Sequence, residues 1–145
     1  MVGKAVGEKN KDALERSVAL ALRLSLIVAV GFSIFFWLLG PSLIAILTDL
    51  PDIRSTTLRY LPWLILSPLI AVWSYLYDGV FVGATLAREM RDIMLISAFV
   101  IFIPAWYALQ FLGNDGLWLS FMLFMASRGI GMHVFYKRRL SKPFP

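Results

Sequence analysis

Two residues of opposite charge stand out in an otherwise apolar chain: Asp78, within WSYLYDGVFVGATLAREMRD, and Arg128, within NDGLWLSFMLFMASRGIGM. Asp78 lies ten residues before Arg88, roughly 15 Å along a helix. Arg128 lies nine residues before Lys137, a similar depth. If the two segments cross a membrane in the same direction, both charges fall near its middle. Insertion there costs about 2.5–3.5 kcal/mol per charge, and such residues are tolerated only where they face protein or water. Two chemistries are open to the pair. Asp78 and Arg128 neutralise each other between helices, or Asp78 faces a wet cavity and takes up a proton or another cation. Tyr75 and Tyr77 are candidates to add hydroxyl or aromatic contacts at the same site.

Other chemistries find less support. His133 is the one histidine and there is no cysteine, so no metal site, disulfide or thiolate chemistry is expected. No G-x-S-x-G motif and no second membrane-embedded acid accompany the serines, which argues against an intramembrane protease or any other enzyme. No glycine-rich phosphate loop is present, and no cofactor is expected.

The elements that must position these residues are membrane spans. The chain has 145 residues, 59% hydrophobic and 16% charged, with a mean hydropathy of +0.76, whereas a soluble domain carries about 25% charged residues. No charge occurs over the 25 residues from Leu24 to Thr48, the 18 from Tyr60 to Tyr77, or the 22 from Ile93 to Asn114. Gly116 to Tyr136 is broken only by Arg128 and His133. A span needs about 20 apolar residues. The expected fold is therefore all-α and polytopic, with four transmembrane helices near 18–40, 60–86, 92–112 and 116–136. Residues 1–17 read as a cytoplasmic link and 137–145 as a cytoplasmic basic tail. The N-terminal region has no short apolar segment followed by a cleavage site, so no signal peptide is expected.

Local signals refine this plan. Asp12 and Glu15 have capping-box spacing, so a helix is expected to start near Asp12. Gly40-Pro41 is expected to interrupt the first span, leaving PSLIAILT as a short second helix. DLPD is turn chemistry, and the next helix, kinked by Pro62 and Pro68, starts near Asp52. GVFVG places Gly79 and Gly83 four apart, a small-residue face for helix packing. REMRD reads as a short cytoplasmic turn and GNDG as a tight outer one. Trp37, Tyr60, Trp63, Trp106, Tyr107 and Trp118 fall toward the outer ends of the spans, as an aromatic belt does.

Charge distribution sets the expected sidedness. Eleven Lys and Arg lie in the N-terminal segment, the second loop and the C-terminal tail, which share one side of a four-span chain. The opposite side has only Arg54 and Arg59. The positive-inside rule then places both termini in the cytoplasm. The net charge of +5 is explained by this asymmetry, and no nucleic acid partner is expected. The KRRLSK tail reads as a stop-transfer anchor beside membrane lipid, with contact to anionic lipid open to it.

LIAILTDLPDIRSTTLRYLPWLILSPL resembles the helix-turn-helix signature of the MATE family of multidrug and toxic compound extruders. DGVFVGATLAREMRD followed by NDGLWLSFMLFMASRGIGM looks like its DinF-type branch, and VGKAVGEKNKDAL is similar to the cytoplasmic link after that family's eighth helix. The resemblance implies the last four of twelve helices, part of the second six-helix lobe. It further implies export of organic cations or other amphipathic drug-like molecules in exchange for H+ or Na+, in a bacterial inner membrane. Asp78 falls near the acidic position of the family's tenth helix, implicated in cation coupling. Arg128 matches an arginine-glycine pair that looks typical of DinF-like proteins, which favours a structural role for it. A chain of four helices lacks the N-terminal helices of such an exporter and is expected to be inactive alone. The alternative is a stand-alone four-helix membrane protein, acting as a homo-oligomeric small transporter or as a subunit of a split one.

Overall fold

Asn10 opens the first long helix: its side-chain oxygen accepts a hydrogen bond from the Ala13 amide at 2.9 Å, a standard way of satisfying an orphan donor at a helix start. The computed structural model describes residues 2–140. The helix starts at Lys11, next to the expected Asp12, with Asn10 as its cap. Before it lies a short helix, α1 (Val2–Gly7). After it runs α2 (Lys11–Leu47). Then come α3 (Pro51–Gly83), α4 (Ala87–Ile96), a more loosely wound π-helical stretch (Ser97–Phe102), α5 (Ile103–Ala108) and α6 (Asn114–Phe135), which winds on as a π-helical turn, Tyr136–Leu140. The architecture is all-α. Four helical runs are long and apolar enough to cross a membrane: Lys11–Leu47, Pro51–Gly83, Ala87–Ala108 and Asn114–Arg139.

Two local expectations are corrected. Gly40-Pro41 does not break the first span; α2 passes through Pro41 to Leu47. A proline removes one donor and crowds the preceding turn, but here Gly40 packs so closely on Leu61 of α3 that an added Cβ would lie 2.7 Å from that side chain. Tertiary contact holds the helix where local propensity would end it. REMRD is not a turn but lies in the first turns of α4, because α3 ends at Gly83 and the reversal occupies residues 84–86. Thr85 sits there in the left-handed region at φ 60°. Residues 2–17 are largely helical. Ala5 and Leu14 are buried with Tyr77, Phe81, Met132 and Tyr136 in a core at the end of the bundle where α1, α2, α3 and α6 meet.

α3 runs on through its interior prolines, Pro62 and Pro68. Pro68 has no N–H to offer the Leu64 carbonyl, and the Ser67 hydroxyl donates to that carbonyl at 2.9 Å. One residue on, Ser33 of α2 donates to the Ile65 carbonyl at 2.8 Å. Freed backbone groups in a span are satisfied in this way by neighbouring helices and hydroxyls. Pro104 likewise leaves the Val100 carbonyl without its usual donor, and the helix widens to π winding over the preceding turn. At the other reversal, Gly113 adopts φ 61°, a conformation that glycine takes without a Cβ penalty. Of the tail, Lys137, Arg138 and Arg139 are described, while Lys142 and the rest of 141–145 lie outside the described residues.

Candidate functional site

The surfaces of α3 and α6 approach closely enough to bring backbone into reach of side chains. A Cβ on Gly129 would stand 3.1 Å from the Cβ of Trp73 and 3.3 Å from the Ser74 nitrogen. Ser74, fully buried, donates to the Met125 carbonyl at 2.9 Å. This contact sets the register in which the charged residues meet.

One turn further along, Arg128 Nη2 donates to both carboxylate oxygens of Asp78 at 2.6 Å each. The pair is asymmetric. A single guanidinium nitrogen spans the carboxylate, instead of the two parallel bonds of a fork-on-fork pair. Arg128 Nε is buried and makes no hydrogen bond among the described residues. The arginine side chain is 10% exposed and the aspartate side chain 24%. The carboxylate therefore keeps an edge open while the guanidinium is enclosed. Because α3 ends five residues after Asp78, the carboxylate stands about 7.5 Å from the end of its own helix.

The other candidates separate. Tyr77 is buried; its hydroxyl is hydrogen-bonded to Nδ1 of His133, and its ring meets Tyr136 at 5.8 Å between centroids. Tyr75 faces outward and is 62% exposed. Among the described residues, neither tyrosine hydroxyl is hydrogen-bonded to Asp78. Gly83 does serve close packing, with Val2 of α1 3.1 Å from where its Cβ would be. A Cβ on Gly79 would meet nothing within 4 Å. Among the described residues no cluster of His, Cys, Asp and Glu could hold a metal ion.

A second polar connection between the same helices lies at their opposite ends. Trp63 Nε1 donates to Asp115 Oδ1 at 2.8 Å, and Arg59 Nη2 lies 3.7 Å from Asp115 Oδ2. Sequence spacing read Asp115 only as part of a turn and Trp63 only as belt. The signal that could have joined them was depth: an acid at the start of one span and an indole at the matching end of another.

Comparison with known proteins gives these helices a context. The family model described as MatE matches residues 1–108. The chain is 40% identical over 136 residues to DNA damage-inducible protein F of Escherichia coli (strain K12), covering 94% of this chain and 29% of that protein. The chain thus spans 29% of the length of the curated relative it matches. No solved structure matches it significantly. Its four apolar helices make it a multi-pass membrane protein, and it belongs to the MatE family.

Proposed function

We propose that this chain is a C-terminal portion of a cation-coupled efflux antiporter of the MATE and DinF type, with H+ or Na+ as coupling ion, and that it does not transport alone. The observation that carries this reading is the contact of Asp78 with Arg128 across α3 and α6. Arg128 itself neutralises the carboxylate in the resting arrangement. A proton or cation reaching the partly open edge of Asp78 competes with that guanidinium. Once Asp78 is neutralised, Arg128 is left as an enclosed charge without its partner, a state that costs several kcal/mol by the rule for broken buried pairs (about 3–5). That energy is available to bias α3 against α6. Such a bias is what exchange between inward-open and outward-open states of an antiporter needs.

The substrate class follows from the family alone: organic cations or other amphipathic drug-like molecules. The absent helices are the partner that completes a cavity, and the bacterial inner membrane is the proposed location. The excess of Lys and Arg on one side supports cytoplasmic termini. The test is efflux by a longer parent carrying this segment, in vesicles with an imposed proton or sodium gradient. Asp78→Asn is expected to abolish the dependence of efflux on that gradient. Unchanged efflux with unchanged ion dependence overturns the proposal. Gradient-driven dye export by the 145-residue chain alone overturns its second half.

A further inference from the structure

An apolar groove of about 570 Å³ runs along the outer surface between α3 and α6. Leu69, Ile70 and Trp73 form one wall, and Ala126 and Ile130 the other. It exists because Gly129 has no side chain to fill the angle beside Trp73. One polar group closes its end: the imidazole of His133. The Tyr77 hydroxyl is hydrogen-bonded to its Nδ1, which leaves Nε2 as the ring nitrogen for an occupant. The groove is thus a greasy channel with an imidazole at one end. Apolar walls with a few placed polar groups are the usual makeup of a small-molecule site.

Charge beyond that end identifies the occupant. Lys137 follows His133 by four residues, one helical turn or about 6 Å. Arg138 and Arg139 come next, and all three are exposed. The polar layer of a bilayer adds about 5–7 Å to each side of its hydrocarbon. His133 therefore stands at the depth of the ester groups when Lys137 stands at the depth of the phosphates. We propose that this groove binds one anionic phospholipid from the leaflet at the Lys137 end. An acyl chain lies along Trp73 and Ile130, the ester region lies beside the His133 imidazole, and the phosphate meets Lys137 and its neighbours. This site is independent of the transport reading: it needs only that α3 and α6 cross a bilayer.

The test uses the 145-residue chain in vesicles of phosphatidylethanolamine with a minority of phosphatidylglycerol. Each lipid in turn carries a photoreactive diazirine in its acyl chain, and labelled peptides are mapped by mass spectrometry. Phosphatidylglycerol is expected to label Trp73 and Ile130 in preference to the phosphatidylethanolamine probe. Lys137→Gln is expected to reduce that preference about fivefold, the worth of one basic residue beside an anionic surface. His133→Phe removes the polar group but keeps an aromatic ring, and is expected to lower labelling by both probes; His133→Gln restores a polar group and is expected to rescue it. Because the Lys137→Gln readout is the ratio of labelling by the two probes, an equal loss of folded protein with both does not imitate it, and rescue by His133→Gln separates the His133→Phe effect from misfolding. Equal labelling by both probes, or labelling spread evenly over outward residues such as Ile27 and Phe99, overturns the proposal. So does protection of Trp73 and Ile130 in a longer parent, since another helix would then occupy the groove.

Discussion

Arg128 holds Asp78 through one nitrogen, Nη2, equidistant from both carboxylate oxygens at 2.6 Å. The geometry leaves Nε buried and unbonded, so the arginine depends on this one partner for most of its compensation. The two residues should therefore behave as a unit. Asp78→Ala and Arg128→Ala are each expected to destabilise the chain by about 3–5 kcal/mol, and Asp78→Leu combined with Arg128→Met to recover most of that loss. Unfolding in mixed micelles, followed by circular dichroism, measures all three. Additive losses in the double variant would show that the pair does not act as a unit.

Gly129 and Gly79 should respond oppositely to an added side chain. Gly129→Val drives a branched side chain against Trp73 and the Ser74 backbone, with an expected cost of about 1–3 kcal/mol for overpacking. Gly79→Ala meets open space and is expected to stabilise the helix by about 0.5–1 kcal/mol. The same micelle unfolding assay compares them. A destabilising Gly79→Ala would mean that another helix packs there.

At the other end of the helix pair, Asp115→Ala removes the acceptor for the Trp63 indole. The expected loss is about 1 kcal/mol, the usual net worth of such a bond. Asp115→Asn keeps an acceptor and should lose less. The Arg59 contact at 3.7 Å is largely exposed and should add little, so Arg59→Ala is expected to change stability by less than about 0.5 kcal/mol.

Thr85 holds a left-handed backbone at the reversal between α3 and α4, with its hydroxyl donating to the Ala84 carbonyl at 2.6 Å. A residue with a Cβ is disfavoured there by about 1–2 kcal/mol. Thr85→Gly relieves that strain but loses the hydroxyl contact, so the expected net gain is about 1 kcal/mol, read as a higher unfolding midpoint.

The sidedness is open to a direct probe because the chain contains no cysteine. A cysteine at Asn114 is expected to react with a membrane-impermeant maleimide added to intact cells, and one at Glu8 only after the membrane is opened. The reverse pattern would place the termini outside.

Much of this fold is written in the sequence because lipid solvation makes long uncharged runs unambiguous: the spans around Leu24–Thr48 and Ile93–Asn114 could hardly be anything else. Boundaries were less legible. Gly40-Pro41 looks like a stop, and only the Leu61 side chain explains why it is not one. The Asp78 and Arg128 charges were visible as a pair by depth alone. That Tyr77 turns away to His133, while Tyr75 faces outward, depends on which side of α3 meets α6. The low and uniform polarity of that helix left no periodic signal to decide this.

The bonds between α3 and α6 have a mechanical consequence. Trp63 to Asp115, Ser74 to the Met125 carbonyl, Asp78 to Arg128 and Tyr77 to His133 form a ladder of rungs along most of their shared length. Helices joined at one level can pivot; helices joined at four cannot scissor without shearing several rungs at once. While the Asp78–Arg128 rung holds, a large displacement in this part of the protein carries α3 and α6 together as one strut, and neutralising Asp78 removes one of the four ties.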